Sequence, residues 1–216
     1  MISDALLLPS MNSLSPEEYN TLKQHHSSKK VACTALLTSL KLSPYPCKPV
    51  FVLINQMAEH DDELMEILLP TLDRLLAEDV RLVIIGNVQK KNEIALKLTV
   101  RRCYSKVAYL PEGSNFLLNR VFEGSHILLA PVPMSSGVFL LQALKYGIIP
   151  VVYSCTLSRQ LVQEYDTVSK TGYGFIFYDA TPNAFLDSVR QSIDAFCNQK
   201  LWQDIVVRAM MTTSFA

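Results

Sequence analysis

From residue 50 onward, short continuous apolar runs alternate with longer stretches in which apolar residues recur every three or four positions. The runs fall at 51–55, 81–86, 106–110, 126–131, 150–153 and 174–178. A short unbroken apolar run marks a strand covered on both faces. The longer stretches predict helices. Residues 61–77 carry Leu64, Ile67, Leu68, Leu72, Leu75 and Leu76 on one helical face, with Asp61, Asp62 and Glu63 at the end where the helix dipole favours negative charge. Further helices are predicted over 92–103, 115–123, 136–146, 159–164, 182–197 and 202–211. Strands that alternate with helices form parallel βαβ units with right-handed crossovers, so the pattern predicts an α/β fold with an open, doubly wound parallel sheet. Ligands of such sheets lie outside the carboxyl ends of the strands. The loops that matter are therefore 55–62, 86–90, 110–114, 130–137 and 153–159.

The first 49 residues lack this beat. Pro9, Pro16, Pro44, Pro46 and Pro49 punctuate a Ser/Asn-rich stretch, and one helix is predicted over 29–42, ending before Ser43-Pro44. The expected organisation is a lead-in segment, 1–49, followed by a sheet domain, 50–216.

Composition narrows the function. Apolar residues make up 49% and charged residues 19% of 216, too core-rich for a disordered chain. Twenty basic residues balance twenty acidic ones, which leaves no electrostatic footprint for nucleic acid. No apolar run approaches the ~20 residues of a membrane span. Met1-Ile-Ser-Asp does not open like a secretory leader. Cys33, Cys47, Cys103, Cys155 and Cys197 are odd in number and form no metal-ligand pattern, so they read as reduced thiols of an intracellular compartment. Glycine is scarce, 7 in 216. A phosphate cradle built from backbone N–H groups needs a glycine cluster, and the chain has none.

Phe122-Glu-Gly-Ser-His-Ile-Leu-Leu-Ala-Pro131, followed by Gly137 and by Gln142-Ala-Leu-Lys-Tyr-Gly-Ile-Ile-Pro-Val-Val152, resembles the bacterial glycogen synthase and plant starch synthase family. Other fragments follow in order. Tyr19, Lys29-Lys30 and Leu40-x-Leu42 resemble the entry to that family's C-terminal domain. Leu82–Gly86 resembles one of its strands, Gly172-Tyr-Gly-Phe-Ile-Phe177 its "G-T-G-F-x-F", and Trp202, Met210 and Phe215 its final helix. The resemblance covers most of the chain but only the second half of a two-domain enzyme. It implies a Rossmann-like GT-B C-terminal domain of a retaining glycosyltransferase that adds glucose from ADP-glucose to an α-1,4-glucan. The implied partners are the N-terminal GT-B domain of the same protein and an α-glucan or an active glucan synthase. The implied compartment is bacterial cytoplasm or plastid stroma.

The departures fall on the donor site. The family's phosphate-binding arginine and lysine in "S-R-L-x-x-Q-K-G" are replaced by Asn55 or Gln56 and by His60 or Asp61. Each lost charge-assisted bond to phosphate costs a few kcal/mol, and a carboxylate there adds repulsion. "E-P-C-G-L" becomes Met134-Ser135-Ser136-Gly137-Val138, without a carboxylate for the donor glucose. "T-G-G-L-x-D" becomes Cys155-Thr-Leu-Ser-Arg-Gln160, without its glycines, and the arginine before it becomes Tyr153. Scaffold positions Gly124, Pro131, Gly137, Gln142, Tyr146, Gly147, Pro150, Gly174 and Phe175 are kept. The expectation is a domain with weak or absent ADP and ADP-glucose binding that acts as a non-catalytic scaffold or regulator of glucan synthesis. The alternative is a relaxed donor pocket that still works in the full-length protein. No catalytic residue, metal or cofactor is assigned. The donor-site remnants are Gln56, Gly86, Met134, Ser135, Ser136, Gly137 and Thr156.

Several residues have a plainer reading beside a chemical one. Ser135 or Ser136 is read as a helix cap. His60 with Asp61 and Asp62 is read as an acidic helix start, and His126 as a structural histidine. His25-His26 is an exposed pair without companions for a metal. Lys29-Lys30 and Arg101-Arg102 are read as solvated basic pairs. Tyr153, Tyr165, Tyr173 and Tyr178 are read as core or rim aromatics near strand ends.

Overall fold

The computed structural model describes residues 16–44, 48–55, 60–111, 115–134 and 136–214. Six strands form one sheet: β1 (Val50–Ile54), β2 (Arg81–Ile85), β3 (Val107–Leu110), β4 (Ile127–Ala130), β5 (Ile149–Tyr153) and β6 (Phe175–Phe177). Their order across the sheet is β3-β2-β1-β4-β5-β6, and every pairing is parallel. This is the doubly wound arrangement that the alternation predicts. The helices are α1 (Pro16–Ser39), α2 (Asp61–Ala77), α3 (Lys90–Arg102), α4 (Asn115–Gly124), α5 (Val138–Lys145), α6 (Thr156–Leu161), α7 (Pro182–Cys197) and α8 (Gln199–Ser214).

Strand alternation sorts the core into two layers. On one face Phe51, Leu53, Leu82, Ile84, Ile127 and Val151 pack with Leu68 and Leu72 of α2, Phe185 and Val189 of α7 and Trp202 of α8. On the other, Val50, Val52, Val83, Ile85 and Leu128 pack with Leu36 and Leu37 of α1, Phe122 of α4 and Leu140 of α5. All five residues of β2 are buried, as a central strand with helices on both sides requires.

Most boundaries fall within two residues of expectation, and three helices differ. α1 begins at Pro16, not 29, and stops at Ser39, not 42. Its end is a Schellman turn: Lys41 takes φ +56°, and the Leu42 N–H donates to the Leu37 carbonyl at 2.9 Å. α6 starts three residues early because Cys155 and Ser158 cap it reciprocally. α8 starts early because the Asn198 side chain accepts from the Leu201 N–H at 3.2 Å.

α1 lies against the sheet domain rather than ahead of it. A Cβ at Gly124 would stand 2.8 Å from the Leu36 side chain, so the crossing with α4 is close. The segment after α1 is tied in by Ser43 N–H to the Ser105 carbonyl and by Arg81 Nε to the Ser43 carbonyl. The expected solvated pair Lys29-Lys30 is half wrong. Lys30 is exposed, but Lys29 is only 8% exposed and donates to the Phe122 carbonyl at 2.9 Å and the Tyr146 carbonyl at 3.0 Å. It sits where α4 and α5 both end. A cation is favoured at such termini, and no local sequence feature announces that two of them meet there.

Candidate functional site at the mouth of the sheet

The strand order reverses between β1 and β4. From there the connections leave in opposite directions, which opens a crevice at the carboxyl ends of the strands. A cavity of about 40 Å³ lies in it, walled by Leu53, Ile54, Leu64, Leu129, Met134 and Phe139, with Asn55 and His60 as its polar side chains. That volume suits water, so a nucleotide would have to lie across the open mouth above it. Among the described residues, no lysine or arginine lines the cavity. The loop after β4 also contributes Pro131 and Pro133 to the wall, and proline has no N–H to offer a phosphate.

A connected polar cluster meets this cavity at Asn55. Asp61, the first residue of α2, is fully buried. Its Oδ1 accepts from Asn55 Nδ2 at 3.0 Å, and its Oδ2 accepts from the Gln89 N–H at 2.9 Å and from Asn92 Nδ2 at 2.8 Å. One carboxylate thus joins the end of β1, the loop after β2 and the first turn of α3. Asp62 is solvent-exposed. Hydrogen bonds from Lys91 (2.6 Å) and Asn92 (3.0 Å) hold its carboxyl below the usual range. His60 bonds Glu63 at 3.1 Å. The acidic helix start is as expected for Asp62 and Glu63, but Asp61 faces inward and carries the junction. The sequence hints at this only through the amides Asn55, Gln89 and Asn92 at strand and helix ends, 6, 28 and 31 residues from Asp61.

The other remnants scatter around the rim. Gly86 follows β2 with φ +110°, and a Cβ there would run into the Asn55 carbonyl oxygen. The glycine lets the ends of β1 and β2 close together, a constraint internal to the fold. Met134 is in the cavity wall. The Ser136 hydroxyl accepts from the Val138 N–H at 3.2 Å, but the N-cap of α5 is Gly137, which makes no side-chain cap bond, so Ser136 does not take the capping role expected of it. A Cβ on Gly137 would meet Leu161 of α6. Thr156 is exposed at the first position of α6. Gln56 and Ser135 lie outside the described residues, as do the side chains of His25 and His26.

Cys155 sits at the end of β5 as the cap of α6. Burial pushes its thiol up, but hydrogen bonds with Ser158 and with the Met134 and Leu157 backbone outweigh that, so its pKa lies below the ordinary value. His126 is the structural histidine expected: Nδ1 accepts from the Val50 N–H at 3.1 Å, and the ring packs edge-on against Phe196. The tyrosines match the packing reading. Tyr153 rests on Phe177 and Tyr165 on Phe175, while buried Tyr173 donates to the Leu161 carbonyl at 3.0 Å. Tyr178 is exposed and donates to Glu164 at 2.6 Å. Among the described residues, no group of three or more His, Cys, Asp or Glu side chains is placed to hold a metal, and no helix is long and apolar enough to cross a membrane.

A parallel six-stranded sheet in this order, with its crevice at the β1/β4 switch point, defines the class: a Rossmann-like α/β domain. Solved structures share it. The catalytic domain of starch synthase IV from Arabidopsis thaliana, bound to ADP and acarbose, superposes over 84% of the chain and 38% of its own length with a TM-score of 0.74 at 18% identity. The C-terminal domain of a group 1 glycosyl transferase from Francisella tularensis superposes over 85% of the chain and 91% of its own length, with a TM-score of 0.62 at 10% identity. No family model matches the chain. Individual proteins match in sequence. Glycogen synthase of Desulforamulus reducens is 30% identical over 191 residues, 88% of the chain, and that of Chlorobium phaeovibrioides 30% identical over 177 residues, 82% of the chain. The chain belongs with the glycogen/starch synthase-like glycosyltransferases. It spans 38% and 35% of the length of those two relatives.

Proposed function

We propose that the chain is the nucleotide-sugar-side domain of a glucan synthase-like protein whose donor site is weakened, and that it serves α-glucan synthesis as a scaffold or regulator. The observation that carries this is the chemistry of the mouth. Among the described residues its cavity wall holds no lysine or arginine, its β4 loop carries Pro131 and Pro133, and a buried carboxylate, Asp61, bonds the Asn55 side chain of that wall. A sugar diphosphate needs charge-assisted donors, and each one missing costs a few kcal/mol. Two domains of the same protein would meet across this mouth, an N-terminal GT-B domain facing the one described. An α-glucan or an active glucan synthase is the partner expected for the scaffold.

Calorimetry with ADP, UDP and ADP-glucose tests the reading on the 216-residue chain. No heat at millimolar ligand is expected. A dissociation constant in the tens of micromolar would overturn it in favour of an active glucosyltransferase, the reading supported by the intact switch-point crevice and by relatives named glycogen synthase. Co-sedimentation with insoluble glucan, or capture of an active synthase, is expected of a scaffold.

A further inference from the structure

We propose that α3 docks on an anionic lipid bilayer: the outward stripe of this helix is an interfacial surface, apolar at its centre and cationic at its ends. The inference is independent of the reading of the mouth.

The sequence of α3 sets the chemistry. Its 13 residues hold the cations Lys90, Lys91, Lys97, Arg101 and Arg102 against one acid, Glu93, in a chain whose twenty basic and twenty acidic residues balance. At 3.6 residues per turn, positions 90, 94, 98 and 101 fall on one face and Leu96 on the opposite one. Leu96 is the one residue of α3 that is buried, in the layer shared with α2 at the β3 edge of the sheet. The stripe Lys90, Ile94, Leu98 and Arg101 therefore points away from the fold. All four are exposed, Ile94 at 67% and Leu98 at 59%, and Tyr104, just beyond the helix, is exposed at 75%. A helix face that meets only water carries polar side chains. Large apolar side chains grouped on one convex face mark a contact surface.

The cations select the partner. Lys91 is paired with Asp62, Lys97 with Glu93 and Arg102 with Asp73. No described acid lies within ion-pair distance of Lys90 or Arg101. These two stand about 16 Å apart along the helix, with Ile94 and Leu98 between them. A second copy of the chain is a poor occupant, because stripe against stripe sets cation against cation in either direction. An acidic helix of another protein would need a groove to lie in, and neither the mouth cavity nor the cavity lined by Ser27, Lys29 and Tyr146 includes a residue of α3. A bilayer needs no groove. A helix parallel to its plane sinks apolar side chains beneath the headgroups, while lysine and arginine reach up to the lipid phosphates. Tyrosine is at home at the same depth. With 13 residues and five cations, α3 would lie on the bilayer and not cross it.

The test co-sediments the 216-residue chain with phosphatidylcholine vesicles, pure or containing one-third phosphatidylglycerol. Binding is expected to the mixed vesicles at millimolar lipid, not to pure phosphatidylcholine, and is expected to weaken with salt. Ile94→Ser with Leu98→Ser, and separately Lys90→Gln with Arg101→Gln, are each expected to cut the bound fraction at least fivefold. In Leu98→Trp the added indole emission is expected to shift to the blue on mixed vesicles. Native Trp202, 7% exposed inside the fold, supplies a constant background. Absence of binding to mixed vesicles overturns the proposal. So does binding that survives Ile94→Ser with Leu98→Ser, which would be charge attraction without insertion, or binding that survives Lys90→Gln with Arg101→Gln, which would place the contact elsewhere. A chain that captures polyglutamate but ignores mixed vesicles overturns it in favour of an acidic polypeptide. If circular dichroism shows that a double variant does not fold, Leu98→Trp decides: a blue shift on mixed vesicles alone supports the proposal, and an unmoved emission overturns it.

Discussion

Lys29 shows how far one residue can depart from its local sequence. Burial lowers its ammonium to about 7, against smaller opposing effects of Cys33 and Glu123. The neutral amine still has two N–H donors, which match the carbonyls of Phe122 and Tyr146. The sign of the linkage follows. The unfolded chain holds this proton up to about pH 10, and the folded chain releases it near 7. Between those values the unfolded state binds more protons, so stability rises with pH, by up to about 1.4 kcal/mol per pH unit. Below 7 both states are protonated and the gain is gone. Lys29→Met is expected to flatten this slope and to cost about 1–3 kcal/mol for the two stranded carbonyls. Urea midpoints at pH 6, 7.5 and 9 for both proteins check it. A rising slope that persists in Lys29→Met would assign it to other groups, and not to Cys33, whose thiol is pushed up by burial and would make stability fall with pH. Asp61 is the counterpart at the other end of the strands: an acid at two helix N-termini where Lys29 is a base at two C-termini.

At the scale of elements, most of the fold was legible and its errors have causes. The strands were found because burial on both faces leaves an unbroken apolar run, and α7 matches its predicted span to the residue, with Thr181 as its cap and Pro182 at its first position. The Thr181 hydroxyl accepts from the Ala184 N–H at 3.3 Å. Thr181→Ala is expected to destabilise by about 1 kcal/mol, read as a lower thermal midpoint with unchanged ligand behaviour. The start of α1 was missed because residues 16–28 are polar and carry no apolar stripe. The start of α6 was missed because its cap uses a cysteine, a residue with little capping preference.

For the whole molecule, the question is whether the first helix is a lead-in or part of the fold. Leu36 and Leu37 are 2% and 3% exposed and belong to the layer that covers Val50, Val52 and Val83. Leu36→Ala is therefore expected to cost about 2–5 kcal/mol and to lower the denaturation midpoint of the entire chain in one transition. A variant that melts α1 separately, leaving the sheet's midpoint unchanged, would return α1 to the status of an appendage. The same packing explains the small glycine at 124: two helices cross there with no room for a side chain.

The alternation of buried runs and amphipathic stretches settled the layers and the parallel sheet, because burial on two faces or one is a property of neighbouring residues. The order of strands places the crevice between β1 and β4, and the glycogen-synthase-like fragments lie on the scaffold that keeps it. What the linear pattern left open is which charges meet. Asp61 and Lys29 look like ordinary surface acid and base until crossovers bring them partners 28 to 117 residues away. Their burial is decided where helix ends converge, and helix ends converge only once the sheet has been wound.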